Sequence, residues 1–318
     1  METKEILSLD HTTLAVPFVQ ELVKKPLTSV PPRYVHPDQD PPIISLDSSS
    51  PQVPVIDMQR LLSEDFMDSE LQKLDQACRE WGFFPVSSSL VEKVKLETEK
   101  FFKLPMEEKS KYGQLEGDVV HVEGYGNVFV GETMEAYSAD LKNIMVEILR
   151  QIRKKLRMDE TEMTILLEGK QAMGFNYYPP CPQPKQVIGL PAHSDFGGIT
   201  FLLDVNDVQG LQIKKDGLWI PVKSLPNAFI INIGKLLSIE HRATINSLKE
   251  RMSIATFCNP KMDGEIAPAP SLVTPETPAM FKRIGVVDYT KGLFKSTNID
   301  GKAHLDCMRI QNEQGKSN

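Results

Sequence analysis

No stretch of this 318-residue sequence approaches the roughly 20 consecutive apolar residues that a membrane-spanning helix needs. The opening Met1-Glu2-Thr3-Lys4-Glu5 lacks the basic-then-apolar order of a secretory signal, so a cytoplasmic location and no membrane partner are expected. Cysteine is scarce. The four present, Cys78, Cys181, Cys258 and Cys307, are far apart and form no Cys-x-x-Cys pair, which argues against a disulfide framework and a structural zinc site. A basic excess is missing too. With 36 Lys and Arg against 43 Asp and Glu the net charge is −7, which shows no basic patch of the kind that neutralises phosphates and makes nucleic acid an unexpected partner. A monomer acting on a small molecule is the expectation.

The 41% hydrophobic content is enough for an ordinary buried core, and 318 residues fit one large domain. Proline is concentrated at the start, where residues 1–56 hold nine of the 23 prolines around one short helical stretch at 19–25. This is read as a leader that wraps the domain. A first strand is expected at 53–57. Leu71, Leu74, Cys78 and Trp81 then recur at helical spacing, and a second helix at 90–104 turns Val91, Val94, Thr98, Phe101 and Phe102 inward before Pro105 stops it. Residues 116–131 are glycine-rich and irregular. The longest helical pattern, 132–158, carries Met134, Tyr137, Leu141, Ile144, Ile148, Ile152 and Leu156 on one stripe, read as core.

From residue 171 the period changes from helical to alternating. Short runs rich in β-branched and aromatic residues at 173–178, 199–204, 211–214, 219–222, 228–233, 239–245 and 252–257 are separated by Gly, Pro, Asn and Asp. The expected class is α+β, a jelly roll (double-stranded β-helix) with N-terminal helices buttressing it. The expected division is a leader at 1–56, a helical part at 57–170, the jelly-roll core at 171–310 and a flexible tail at 311–318.

Chemistry concentrates in residues 191–203, where His193 and Asp195 stand two apart before an apolar run. Two apart on an extended chain means one face, so an imidazole and a carboxylate can share a metal ion that a second histidine would complete. The tripeptide alone says little, since His36-Pro37-Asp38 and His304-Leu305-Asp306 repeat it and are read as solvated loops. The setting of the central copy distinguishes it: a strand follows, Gly197 and Gly198 permit close backbone approach, and His241-Arg242 lies downstream. Arg251 and Ser253 point the same way on another strand and make a carboxylate receptor, against the plainer reading of an arginine on a solvated face. Asn176 and Tyr178 form a comparable same-face pair, which in isolation would be ordinary strand polar groups.

Taken in order, Asn176-Tyr177-Tyr178-Pro179-Pro180-Cys181-Pro182, His193-x-Asp195, the run Asn227 to Gly234, His241-Arg242 and Arg251-x-Ser253 resemble the plant soluble dioxygenases that use non-haem Fe(II) and 2-oxoglutarate. The likeness runs from Val19-Gln20-Glu21-Leu22 to Met308-Arg309-Ile310. It extends to the senescence-related subgroup and the codeine and thebaine O-demethylases. It implies Fe(II) held by His193, Asp195 and His241, with the 2-oxoglutarate carboxylate on Arg251 and Ser253 and with Tyr178 and Asn176 beside it. It also implies O2 as co-substrate, ascorbate as reductant, no catalytic side chain beyond the metal centre, and hydroxylation or O-demethylation of a small plant secondary metabolite.

The sequence departs from the family's pattern in three places. It is shortened after Phe84, after Val130 and after Gly234, the last being the connection that aims His241. The alternative is therefore a catalytically impaired isoform or binding protein that keeps partial affinity for metal or 2-oxoglutarate.

Overall fold

The computed structural model describes residues 19–25, 27–36, 53–87, 91–110, 132–195, 197–234, 239–295 and 308–310. The expected flexible tail, the glycine-rich stretch 116–131, and His304, Asp306 and Cys307 lie outside them. The helices in chain order are α1 (Val19–Leu22), α2 (Met58–Leu61), α3 (Met67–Glu80), α4 (Val91–Lys103), α5 (Met106–Ser110), α6 (Glu132–Leu156), α7 (Thr164–Leu167) and α8 (Val286–Lys295). The strands are β1 (Phe83–Ser87), β2 (Gln171–Tyr178), β3 (Leu190–His193), β4 (Ile199–Asp204), β5 (Leu211–Lys215), β6 (Leu218–Pro221), β7 (Ala228–Ile233), β8 (His241–Ala243), β9 (Arg251–Cys258), β10 (Glu265–Ile266) and β11 (Ile284–Gly285). None of the helices described is long and apolar enough to cross a membrane.

Two antiparallel sheets make the core, one ordered β1-β7-β4-β9-β2 and the other β3-β8-β5-β6; β10 and β11 pair by themselves. Side chains alternate across each strand, and the alternation sorts two apolar layers. Phe201, Leu203, Phe229, Ile231, Met252 and Ile254 leave the outer face of the five-stranded sheet and pack on Leu74 of α3, Val94 of α4 and Tyr137, Leu141 and Ile148 of α6. Their neighbours point the other way: Phe83, Ile230 and the half-buried Leu202 meet Leu211 and Ile213 of the four-stranded sheet. The helices therefore buttress one sheet from outside, and the jelly-roll interior lies between the two.

The helices form where the apolar spacing places them. Asp57 caps α2, its carboxylate accepting from the Gln59 and Arg60 amides at 2.9 and 3.2 Å, which offsets donors a helix start otherwise leaves open. In α4 Val91, Val94, Thr98 and Phe101 are buried, with Phe102 partly so, and Thr98 returns its hydroxyl to the Val94 carbonyl at 2.9 Å. In α6 Met134, Tyr137, Leu141 and Ile148 are buried, Ile144 and Ile152 partly so, and Met145 and Leu149 widen the stripe.

Three local readings change. Residues 53–57 make no strand: Ile56 alone bridges to Val86, because Pro54 denies the ladder a donor and Asp57 is already spent as a helix cap. Residues 83–87, expected only as the point where a segment is missing, are a five-residue edge strand paired along β7 from Phe83 opposite Asn232 to Ser87 opposite Ala228. The strand expected at 239–245 shortens to three residues. Cys78, Cys181 and Cys258 are buried free thiols, and burial pushes Cys78 up to about 12 and Cys258 to about 11, away from the reactive thiolate form.

Phe229 ties helices to sheet, its ring 5.8 Å from that of Tyr137 and 6.2 Å from that of Phe201. Phe229→Ala is expected to lower unfolding free energy by about 3–5 kcal/mol through the cavity it leaves. Denaturant titration checks this, and a loss below ~1 kcal/mol would contradict the packing described.

Candidate metal centre

Strand pairing builds the centre. β3 and β8 run antiparallel with His193 directly opposite His241, and β8 in turn sets His241 opposite Ile213 of β5. Ile213 is interior, so the His241 imidazole is interior too; the edge of Phe83 from the opposing sheet meets it at 5.3 Å between ring centres. The two imidazoles are 4.2 Å apart, centre to centre. Two residues beyond His193, Asp195 completes the group, its Oδ1 3.5 Å from His193 Nε2 and 3.6 Å from His241 Nε2. One ligand atom from each residue lies within 4.8 Å of the other two.

Backbone carbonyls fix which nitrogen faces inward. His193 Nδ1 lies 2.8 Å from the Pro191 carbonyl, and His241 Nδ1 lies 3.2 Å from that of Ile239. An imidazole that donates Nδ1–H to a carbonyl keeps a lone pair on Nε2. Asn232 of β7, itself buried, donates from Nδ2 to Asp195 Oδ2 at 2.7 Å, leaving Oδ1 toward the imidazoles. Burial works against a charge on Asp195, but the His193 hydrogen bond, the His241 potential and the Asn232 amide hold its carboxyl well below the usual carboxylate range. Burial likewise lowers His241, Asp195 compensating only in part, whereas the Asp195 contact more than offsets burial at His193 and raises it. Two nitrogens and one anionic oxygen converging on one side suit Fe(II) or a similar divalent ion, with positions left open.

A close backbone approach holds this corner. The Gly234 amide donates to the Gly198 carbonyl at 2.8 Å, and the Gly198 amide to the Cys258 carbonyl at 2.9 Å. A Cβ on Gly234 would fall 1.9 Å from the Gly197 carbonyl oxygen, so only glycine fits.

The expected carboxylate receptor also assembles by register. Tyr178 pairs with Arg251 and Asn176 with Ser253 across β2 and β9, so all four side chains share the interior face. Arg251 is 2% exposed, and its guanidinium carbon sits 5.3 Å from the Tyr178 ring centre. Burial raises the Tyr178 phenol, with Arg251 working against the rise. Asn176 makes one long contact, 3.5 Å to the Gly174 carbonyl. Arg251 already has an anion: Nη2 donates to Asp204 Oδ1 at 2.5 Å, and the Ser224 hydroxyl donates to Asp204 Oδ2. Ser253 Oγ is 3.4 Å from Nη1, and Nε is buried with no partner.

Sequence reasoning missed Asn232, Asp204, Ser224 and Phe83 as parts of these sites. Asn232 is detectable, as a polar side chain in the apolar run 228–233. Asp204 is not, because an aspartate at a strand end reads as a turn residue.

The fold and the site define a 2-oxoglutarate- and Fe(II)-dependent oxygenase, and the comparisons agree. Residues 169–260 match the 2OG-Fe(II) oxygenase superfamily and 53–160 match the non-haem dioxygenase N-terminal family named for morphine synthesis. The chain belongs to this family of oxidoreductases. It is 45% identical to oxoglutarate-dependent flavonoid 7-O-demethylase 1 of Ocimum basilicum over 94% of this chain and 92% of that one. With thebaine 6-O-demethylase of Papaver somniferum the identity is 39% over 98% and 100%. A crystal structure of JOX2 in complex with 2OG, Fe and JA superposes with a TM-score of 0.76 at 30% identity, covering 93% of this chain and 98% of that one. The basil alignment runs over 355 positions, whereas 94% of 318 residues is about 299, so about 56 aligned positions have no residue here.

Gly210 supplies the room for the Arg251 stem, since a Cβ there would lie 2.6 Å from Arg251 Cδ and 3.0 Å from the Thr244 carbonyl oxygen. Gly210→Ala is expected to displace Arg251 and cost about 1–3 kcal/mol of stability. Thermal or denaturant unfolding measures it, and an unchanged stability would mean the stem has space to spare.

Proposed function

We propose that His193, Asp195 and His241 hold Fe(II), that Arg251 and Ser253 receive the distal carboxylate of 2-oxoglutarate beside Tyr178 and Asn176, and that the substrate is a small O-methylated plant metabolite. The carrying observation is the convergence of two Nε2 atoms and Asp195 Oδ1, each aimed by a fixed second contact. The substrate class is supported by the activities for which the flavonoid and thebaine O-demethylases are named, both covered over nearly their whole length.

The chain's own residues supply position and environment. Asp195 stays anionic and brings charge to the centre, the two carbonyl-tethered imidazoles bring neutral donors, and Asn232 fixes the carboxylate's rotation. Phe83 keeps an apolar edge against His241, limiting water on that side. Once bound, Fe(II) with 2-oxoglutarate and O2 would supply the oxidising power, one oxygen atom going to succinate as carbon dioxide leaves and the other to the substrate. On an O-methyl group the resulting hemiacetal collapses to the free hydroxyl compound and formaldehyde.

A second reading is favoured by one observation, the about 56 aligned positions that this chain lacks. It is a binding protein that keeps metal and 2-oxo acid affinity without turnover. Anaerobic titration with Fe(II) and 2-oxoglutarate, followed by succinate and formaldehyde assays on O-methylated flavonoids and alkaloids, separates the two. Binding with formaldehyde release supports the enzyme, and binding without succinate supports the second reading. His241→Ala is expected to weaken Fe(II) binding at least ~100-fold, because two protein ligands hold the ion poorly. Unchanged iron affinity would remove His241 from the centre.

A further inference from the structure

We propose that Asp204 competes with the co-substrate's distal carboxylate for Arg251, and so sets how strongly this site prefers a dicarboxylate 2-oxo acid to a monocarboxylate one. The proposal rests on the reading of Arg251 and Ser253 as the carboxylate receptor.

The geometry is that of an occupied receptor. Arg251 Nη2 donates to Asp204 Oδ1 at 2.5 Å with the two side chains 2% and 5% exposed, and Ser224 donates to the other Asp204 oxygen. β4 and β9 pair with Asp204 opposite Ser253, so the aspartate projects into the same interior face as the receptor. A buried guanidinium beside one carboxylate is neutral as a pair. Bringing a second carboxylate to it leaves one uncompensated negative charge where water is scarce, which costs more than adding an anion to a lone arginine. The second anion is weakened rather than excluded. Nε has no partner, Nη1 reaches Ser253 only at 3.4 Å, and a guanidinium has five donors, so Arg251 keeps donors for a further acceptor. Gly210 admits the stem at this place, because Arg251 Cδ and Nε fill the space a side chain there would need.

The alternative is that Asp204 is only a brace that aims Arg251. The two differ in sign. A brace, once lost, loosens the co-substrate; a competitor, once neutralised, tightens it. Asp204→Asn keeps the shape, its amide oxygen accepting from Arg251 and its NH2 donating to Ser224, while removing the charge.

The test uses the full chain loaded anaerobically with Fe(II) and titrated calorimetrically with 2-oxoglutarate and with 2-oxopentanoate, which has the same 2-oxo acid head and no distal carboxylate. In the unaltered chain the preference for 2-oxoglutarate is expected to be less than tenfold. D204N is expected to tighten 2-oxoglutarate about tenfold, and not less than threefold, while moving 2-oxopentanoate by less than threefold. An unaltered preference of tenfold or more overturns the proposal, and this holds even if the variant does not fold. Weaker or unchanged 2-oxoglutarate binding in D204N overturns it in favour of the brace, and equal tightening of both acids overturns it as a general change in the site. If the unaltered chain binds Fe(II) and 2-oxopentanoate but D204N binds 2-oxoglutarate no better, the competition fails while the metal reading stands. If neither acid binds, the receptor reading fails with it.

Discussion

The register of β3 against β8 is the constraint on which the metal centre depends. Because His193 and His241 are direct cross-strand partners, their imidazoles face each other with no loop or lid needed to bring them together. A slip of one residue would turn His241 out and Arg242 in, since facing alternates at every position. Both faces of the sheet resist that slip. Inside, Leu211 and Ile213 follow His241 into the apolar layer; outside, Arg242 stacks on Trp219 at 4.1 Å and donates from Nε to Gln212 at 2.8 Å. A guanidinium in the interior in place of His241 would lose both contacts and leave a buried charge without them.

Among the described residues two carboxylates, Asp195 and Asp204, are buried in the jelly-roll interior, and they are handled differently. Asp195 is held by an amide and approached by two imidazoles, leaving an anion that a cation can still claim. Asp204 is held by a hydroxyl and matched to a full positive charge, which makes a closed pair. The same side-chain chemistry thus yields one open site and one occupied one, and the difference lies in whether the partner is a permanent cation. Glu70, buried outside the jelly roll, shows the structural version: it accepts from the Asp57 amide and Lys73, lies 3.4 Å from Arg60 Nε as an ion pair, and joins α2 to α3.

Losing about 56 aligned positions leaves both sheets continuous, and the energetics explain why. Connections contribute little to stability compared with paired strands and packed faces, and closure cost varies only slowly with loop length. The ends of the connection after β7 are anchored: the Gly234 amide is bonded to the Gly198 carbonyl, and the Lys214 amide donates to the Glu240 carbonyl at 2.7 Å. Four residues, 235–238, are all the sequence has between Gly234 and Ile239.

The sequence by itself determined the long helices, the strands at 199–204 and 228–233, the order of helices before strands, and the residue types of both sites. These follow from periodicity, which is local and survives in a one-dimensional reading. It did not determine residues 83–87 as a strand or 53–57 as a cap and bridge, because short mixed segments take their structure from whatever neighbour offers hydrogen bonds. His193 and His241 were joined only through the family resemblance and not by periodicity, and nothing in the sequence paired Asp195 with Asn232 or Arg251 with Asp204. Those partners stand 48, 37 and 47 positions apart, and their meeting is fixed only when β3 is set against β8, β7 against β4, and β4 against β9. Register is a property of strand pairs, so only the tertiary structure decided that one carboxylate faces two imidazoles and the other already holds the arginine.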